Sequence, residues 1–191
     1  VQLEGIFRTG DTRADNFRSR LFGMFSEDIP RIWGQNPNAP YAWAGRPTLY
    51  EGTGWATIDH LFRDSAGRAF VAEQKSELAW MGYAYLRLDN PGQLDHHRGK
   101  PAFDWFLEAA TDPARRAVKV GGKAVAIDGA ILVWGAVDRD RRDEVRQAFG
   151  FHDILSLEEM LEDLRAWQDP AWAARLDELA AWTDGMLGAL R

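Results

Sequence analysis

Asp59, Glu73 and Lys75 sit where the two strands of a hairpin would be expected to carry apolar side chains. The segment ATIDHLFRDSAGRAFVAEQKSE, Ala56 to Glu77, consists of two apolar runs around the polar turn RDSAGR. Side chains alternate along a strand, so Val71, Glu73 and Lys75 share one face of the second strand. By the same rule Thr57, Asp59 and Leu61 share a face of the first, opposite Ile58, His60 and Phe62. A three-residue loop, Ser65-Ala66-Gly67, puts Gly67 at the position that needs a positive φ. That loop pairs Asp64 with Arg68 and sets Asp59 across from Glu73. Facing like charges cost roughly 0.2–1 kcal/mol in an exposed ladder, and more where water is excluded. Either Lys75 or a divalent cation between the acids would offset that cost. Two carboxylates, a backbone carbonyl and waters suit Mg²⁺. Such an ion activates water and offsets charge on a phosphate under attack. Lys75 beside it could orient or deprotonate the water, or stabilise the leaving charge. The plainer alternative is a solvated face on which Lys75 forms a surface ion pair, worth about 0–1 kcal/mol.

The elements that must hold these residues follow from hydrophobic pattern and turn chemistry. Residues 11–26 carry Phe17, Leu21, Met24 and Phe25 at helical spacing. The stretch from Glu27 to Gly54 is rich in Pro, Gly and Asn and reads as a long loop. Ala56–Phe62 and Ala69–Lys75 read as the paired strands. Pro91–Thr111 reads as a helix or helix pair, with Pro101 opening its second part and Phe103, Phe106 and Leu107 on one face. Gly121-Gly122-Lys123 reads as a turn, and GAILVWGAV, Gly129 to Val137, as a strand covered on both faces. A helix follows, with Asp138 as its cap and Val145 and Phe149 buried. The last segment reads as two helices: Ser156 and Glu159 form a capping box, and Asp169-Pro170 opens the final one. The expected fold is a mixed α/β domain over residues 1–152, with an acidic helical extension over 153–191 packed on it.

Composition narrows the chemistry. The chain has 191 residues and no cysteine, which excludes disulfides, thiolate metal sites and a cysteine nucleophile. That fits a cytoplasmic protein. No apolar run is long enough to span a membrane, and no signal-peptide pattern is visible. The net charge of −6 is confined to the C-terminal segment, where nine acids from Asp153 onward face three arginines. Residues 1–152 are neutral, so a nucleic-acid site there is neither forbidden nor advertised by a basic field. The acidic helices would repel phosphate and are expected to form a packed hairpin, or an interface for a second copy or a protein partner.

The pattern Ile58-Asp59, thirteen intervening residues, then Glu73-Gln74-Lys75 resembles the PD-(D/E)XK nuclease superfamily, the restriction-endonuclease-like fold. The surrounding order agrees over roughly residues 11–150: a helix before the hairpin, a helix after it, then the apolar strand. The resemblance implies a mixed central sheet flanked by helices and a nuclease hydrolysing DNA phosphodiester bonds with Mg²⁺ or Mn²⁺. It makes Asp59, Glu73 and the carbonyl of Gln74 metal ligands and Lys75 the catalytic lysine. Ile58 replaces the proline of the name. Some members carry Q-x-x-x-Y on the following helix; here Gln93 matches and His97 stands for the tyrosine. An acid before the hairpin is also expected, with Glu51 preferred over Asp15. A catalytically inactive binding or assembly module on the same fold is the alternative.

Other residues carry weaker expectations. His96 and His97 would diverge on a helix by about 100° and are read as surface or cap residues. His60 is read as structural, on the face away from Asp59. Trp33, Trp43, Trp55 and Trp80 flank the hairpin and could stack on unpaired bases, although packing explains most of them. Arg13, Arg18, Arg20, Arg31 and Arg46 could contact phosphate or pair with nearby acids.

Overall fold

The computed structural model describes residues 3, 18, 20–23, 25–75 and 87–191. Asp15, Trp80 and most of the expected helix over 11–26 lie outside them, although residues 20–23, 25 and 26 are helical. The elements are α1 (Asp28–Trp33), β1 (Tyr41–Trp43), β2 (Pro47–Glu51), β3 (Gly54–Thr57), β4 (His60–Asp64), β5 (Ala69–Lys75) and β6 (Arg87–Leu88). A 3₁₀ helix (Pro91–His97), α2 (Pro101–Thr111), β7 (Ala117–Val120), β8 (Lys123–Val125), β9 (Gly129–Trp134) and β10 (Ala136–Val137) follow. The chain ends with α3 (Arg142–Phe149), β11 (Asp153–Ser156), α4 (Leu157–Ala166) and α5 (Pro170–Ala189).

The main sheet has the order β1-β4-β5-β9-β11. β1, β4 and β5 form an antiparallel meander. Beyond it, β9 and β11 run parallel to β5, as strands reached by crossovers must. Ala130, Leu132 and Trp134 of β9 face one core, and Ile131 and Val133 face another. The first core is filled by Phe103, Phe106 and Ala109 of α2 and Val145 of α3. The second is filled by Ile29, Ile32 and Trp33 of α1 and Leu157, Met160 and Leu164 of α4. Gly129–Trp134 is therefore a central strand between two helical layers, as its composition predicts, but the expected strand stops short of Val137: Ala136 and Val137 pair with β6 in a separate two-stranded sheet. A second sheet, β3-β2-β7-β8, adds Leu49 and Val118 to the first core.

Four expectations need correction. The segment over Glu27–Gly54 is not one loop: it holds α1, β1 and β2, since Pro30 sits in the first helical turn, where its missing N–H costs nothing. Ala56–Phe62 is two strands in different sheets, broken at Ile58-Asp59. The break resets the alternation, so Ile58 and Leu61 share the first core while Phe62 lies in the second. The division at residue 152 also fails, because Asp153–Ser156 pair with Ile131–Trp134 as the edge of the main sheet. The Ser156 capping box does not form. The Ser156 hydroxyl donates to the Gly135 carbonyl (3.4 Å), and Glu159 accepts from Arg142 instead.

Asp169 does cap α5, accepting the Trp172 N–H at 2.8 Å, with Pro170 next. Among the described residues no helix is long and apolar enough to cross a membrane.

Candidate active site

The hairpin pairs as the Gly67 loop requires. His60 faces Ala72, Leu61 faces Val71, Phe62 faces Phe70 and Arg63 faces Ala69. Gly67 has φ of 80° and donates its N–H to the Asp64 carbonyl. Asp59 is the residue just outside this ladder, at the bend where the chain passes from the second sheet into the main one. Ile58 anchors the bend: its side chain is fully buried and its N–H donates to the Pro47 carbonyl. Asp59 thus reaches the same end of the sheet as the last residues of β5. That end is also the carboxyl end of parallel β5 and β9, where open α/β sheets commonly bind ligands.

The carboxylate of Asp59 accepts the backbone N–H of Gln74 (2.9 Å) on Oδ2, and its Oδ1 lies 3.7 Å from Arg46. Glu73 is 6% exposed. Its Oε1 accepts from the Lys75 ammonium (2.5 Å), while buried Oε2 has no hydrogen-bond partner among the described residues. Burial pushes the Glu73 carboxyl above its ordinary value; Asp59 pushes the same way, and Lys75 opposes both. Lys75 also donates to the Gln74 carbonyl (3.3 Å), and its ammonium lies 5.5 Å from the centre of the Phe103 ring.

These groups line a cleft of about 470 Å³ with Gly23, Glu27, Asp28, Arg31, Trp43 and His60. His60 is therefore not turned away from Asp59 as strict alternation predicts. The Trp43 indole N–H can only donate, so His60 Nδ1 accepts it (3.3 Å) and Nε2 donates to Gln74 Oε1 (3.3 Å). The Gln74 amide passes the chain on to Ser26 Oγ (2.9 Å), which donates to the Gly23 carbonyl. Burial holds the imidazole below its ordinary value, against the pull of Asp59 and Gln74, which keeps this neutral tautomer in place. The network clamps Gln74 and, with it, the carbonyl that points at Lys75.

Two further acids enter from α1 and its approach. Asp28 is bound by Arg31 (2.6 Å) and by Arg175 of α5 (2.7 Å). Burial would raise its carboxyl, but these two arginines outweigh that and hold it below the usual range. Glu27 also lines the cleft. Sequence reading missed both, because they sit in a segment taken for a loop.

Two expected residues are not brought to the cleft. Glu51 lies at the end of β2 and binds Arg116 (2.9 Å), which also pairs with Glu108 and stacks on Trp105. Gln93 caps the start of the 3₁₀ helix: its Oε1 accepts from the Asp89 and Asn90 N–H groups, and its amide donates to the Arg87 carbonyl. His97 is not a surface residue. It is fully buried beside Phe103 and Trp134, with neither ring nitrogen partnered among the described residues. Of the flanking tryptophans, Trp33 is buried, Trp43 lines the cleft and Trp55 is exposed.

The donor set suits a hard divalent ion that keeps most of its waters: Asp59, Glu73 and the Gln74 carbonyl, with Glu73 Oε2 buried and unsatisfied. Among the described residues no group of three or more His, Cys, Asp or Glu could hold a metal ion, so any ion here would take two carboxylates and the Gln74 carbonyl, with the rest of its shell from water. No family model matches the chain, and no curated protein or solved structure matches it.

Proposed function

We propose that the protein is a metal-dependent nuclease that hydrolyses DNA phosphodiester bonds at the cleft formed by Asp59, Glu73, Gln74 and Lys75. The observation that carries this reading is Glu73. A carboxylate this deeply buried, with a second acid close by and one oxygen unpartnered among the described residues, is costly; Lys75 reaches only its other oxygen, and a further cation would complete it. Further support comes from the Ile58-Asp59 and Glu73-Gln74-Lys75 pattern that carries the resemblance to PD-(D/E)XK nucleases, set at the β4–β5 hairpin with α1 before it and α2 and β9 after it.

Asp59, Glu73 and the Gln74 carbonyl would hold Mg²⁺ or Mn²⁺. When bound, the ion supplies positive charge to the phosphoryl oxygens and a more acidic water. Lys75, fixed by Glu73 and the Gln74 carbonyl, orients the attacking water or neutralises charge on the leaving oxygen. The His60–Gln74–Ser26 chain keeps the Gln74 carbonyl aimed, so little reorganisation is needed when substrate arrives.

Linear, circular and single-stranded DNA incubated with Mg²⁺ or with EDTA tests the proposal. Cleavage should require the metal and should fall by about 10²-fold or more in Asp59→Ala and Lys75→Ala. Equal cleavage by those variants would overturn it. The second reading is a binding or assembly module without catalysis, favoured by Lys75 being engaged by Glu73 and by the absence, among the described residues, of a group of three His, Cys, Asp or Glu that could hold a metal ion. Calorimetry with Mn²⁺ separates the two, since such a module would bind no metal.

A further inference from the structure

Among the described residues three cations line the cleft, and two of them are committed. Lys75 is held by Glu73 and Arg31 by Asp28. Arg46 is different. Its side chain is 66% exposed, and it approaches Asp59 only to 3.7 Å, beyond hydrogen-bond length. Yet its backbone is fixed. Ala44 donates to the Leu61 carbonyl (2.8 Å), Gly45 accepts from the Leu61 N–H (2.7 Å), and Pro47 accepts from Ile58 (3.0 Å). Gly45 has φ of 118°, and a Cβ there would stand 2.6 Å from Val120 Cγ1, so this path demands glycine. The chain thus presents a loosely held guanidinium at a rigid point beside the candidate metal ligand.

The charges give that placement a meaning. Beyond the two committed pairs, the described residues of the cleft leave two acids, Glu27 and Asp59, and one cation, Arg46. These residues together carry one net negative charge, which disfavours a phosphodiester. A divalent ion turns this into one net positive charge and leaves Arg46 without need of Asp59.

We propose that Arg46 is the phosphate-contacting residue of this site: it neutralises Asp59 when no ion is bound and engages the scissile phosphodiester once Asp59 ligates an ion. The inference rests on the nuclease reading above. It makes substrate binding follow metal binding, and planar guanidinium forks suit phosphate oxygens.

Mn²⁺ calorimetry and oligonucleotide cleavage on the wild type, Arg46→Ala and Arg46→Lys test it. Arg46→Ala removes a competitor for Asp59, so it should bind Mn²⁺ about two- to five-fold more tightly. It should also cleave about 10²-fold more slowly, having lost its phosphate contact. Arg46→Lys should lie between the alanine variant and the wild type in cleavage and match the wild type in Mn²⁺ affinity. A residue that merely supports the fold would not move the two readouts in opposite directions. Cleavage by Arg46→Ala at the wild-type rate, or weaker Mn²⁺ binding, overturns the assignment while leaving the nuclease reading intact. A wild-type protein that neither binds Mn²⁺ nor cleaves overturns the nuclease reading and this inference with it.

Discussion

Glu73 and Asp59 bring together two charges that the fold alone would not choose. Glu73 is raised by burial and by Asp59, and Lys75 offsets only part of that. Asp59 accepts a hydrogen bond from the Gln74 N–H, which an amide oxygen could accept equally well. Asp59→Asn should therefore keep the backbone contact and remove the repulsion. Relief of about 0.2–1 kcal/mol is expected for such a pair. In EDTA the variant should melt at the wild-type temperature or up to about 4 °C above it for a chain of this size. Saturating Mn²⁺, at about a hundred times its Kd, should stabilise the wild type by about 2.7 kcal/mol and the variant hardly at all. Differential scanning calorimetry with and without Mn²⁺ decides the matter. A variant that melts well below the wild type in EDTA would mean that Asp59 is held for the fold.

At the scale of elements, the 3₁₀ helix over Pro91–His97 presses an imidazole into the core against α2 and β9. Burial, helped by His96, Lys75 and Lys100, pushes His97 down to about 3 from an ordinary 6.5. The folded protein therefore refuses a proton that the unfolded chain accepts. This contribution to stability is complete above about pH 6.5 and is lost as the pH falls towards 3, at up to about 1.4 kcal/mol per pH unit. His97→Leu keeps a similar volume and removes two nitrogens that have no partner among the described residues. Urea unfolding at pH 7.5 and pH 5 should show the variant losing less stability on acidification than the wild type. An equal loss in both would place the acid sensitivity elsewhere.

His97 also marks where sequence stopped being informative. Its neighbours give no periodic signal in a 3₁₀ helix, so only the tertiary contacts reveal its burial. The hairpin register was legible because Gly67 fixes the loop, and β9 because nine residues in a row avoid charge. The bend at Asp59 was not legible, since the apolar pattern runs through it while the chain changes sheets. Glu27 and Asp28 were hidden by prolines and asparagines that suggest a loop but here sit within and between short elements. Glu51 and Gln93 came from a pattern, and the ion pair with Arg116 and the backbone bonds around Asn90 account for them locally.

For the whole molecule, the acidic C-terminal segment divides in the middle. Ile154 lies in one core, and Leu157, Met160 and Leu164 lie in the other. α5 contributes no buried residue, and its Leu176, Trp182, Met186 and Leu187 are exposed. Each fully buried aliphatic side chain contributes roughly 1.5–3 kcal/mol, so the four inner residues together match the entire stability of an ordinary domain, about 5–15 kcal/mol. Losing β11 also bares the parallel edge of β9, a row of unpaired backbone groups open to aggregation. Truncation after His152 should therefore give a chain without a cooperative unfolding transition. Truncation after Arg175 removes most of α5 yet keeps the Arg175–Asp28 contact, the sheet and both cores. That shorter form should retain a single cooperative transition and the same Mn²⁺ response as the full chain. Circular dichroism melts of the two truncations compare them directly. A cooperative transition in the His152 form would show that the sheet through β9 stands alone, and loss of folding in the Arg175 form would show that α5 holds the second core shut.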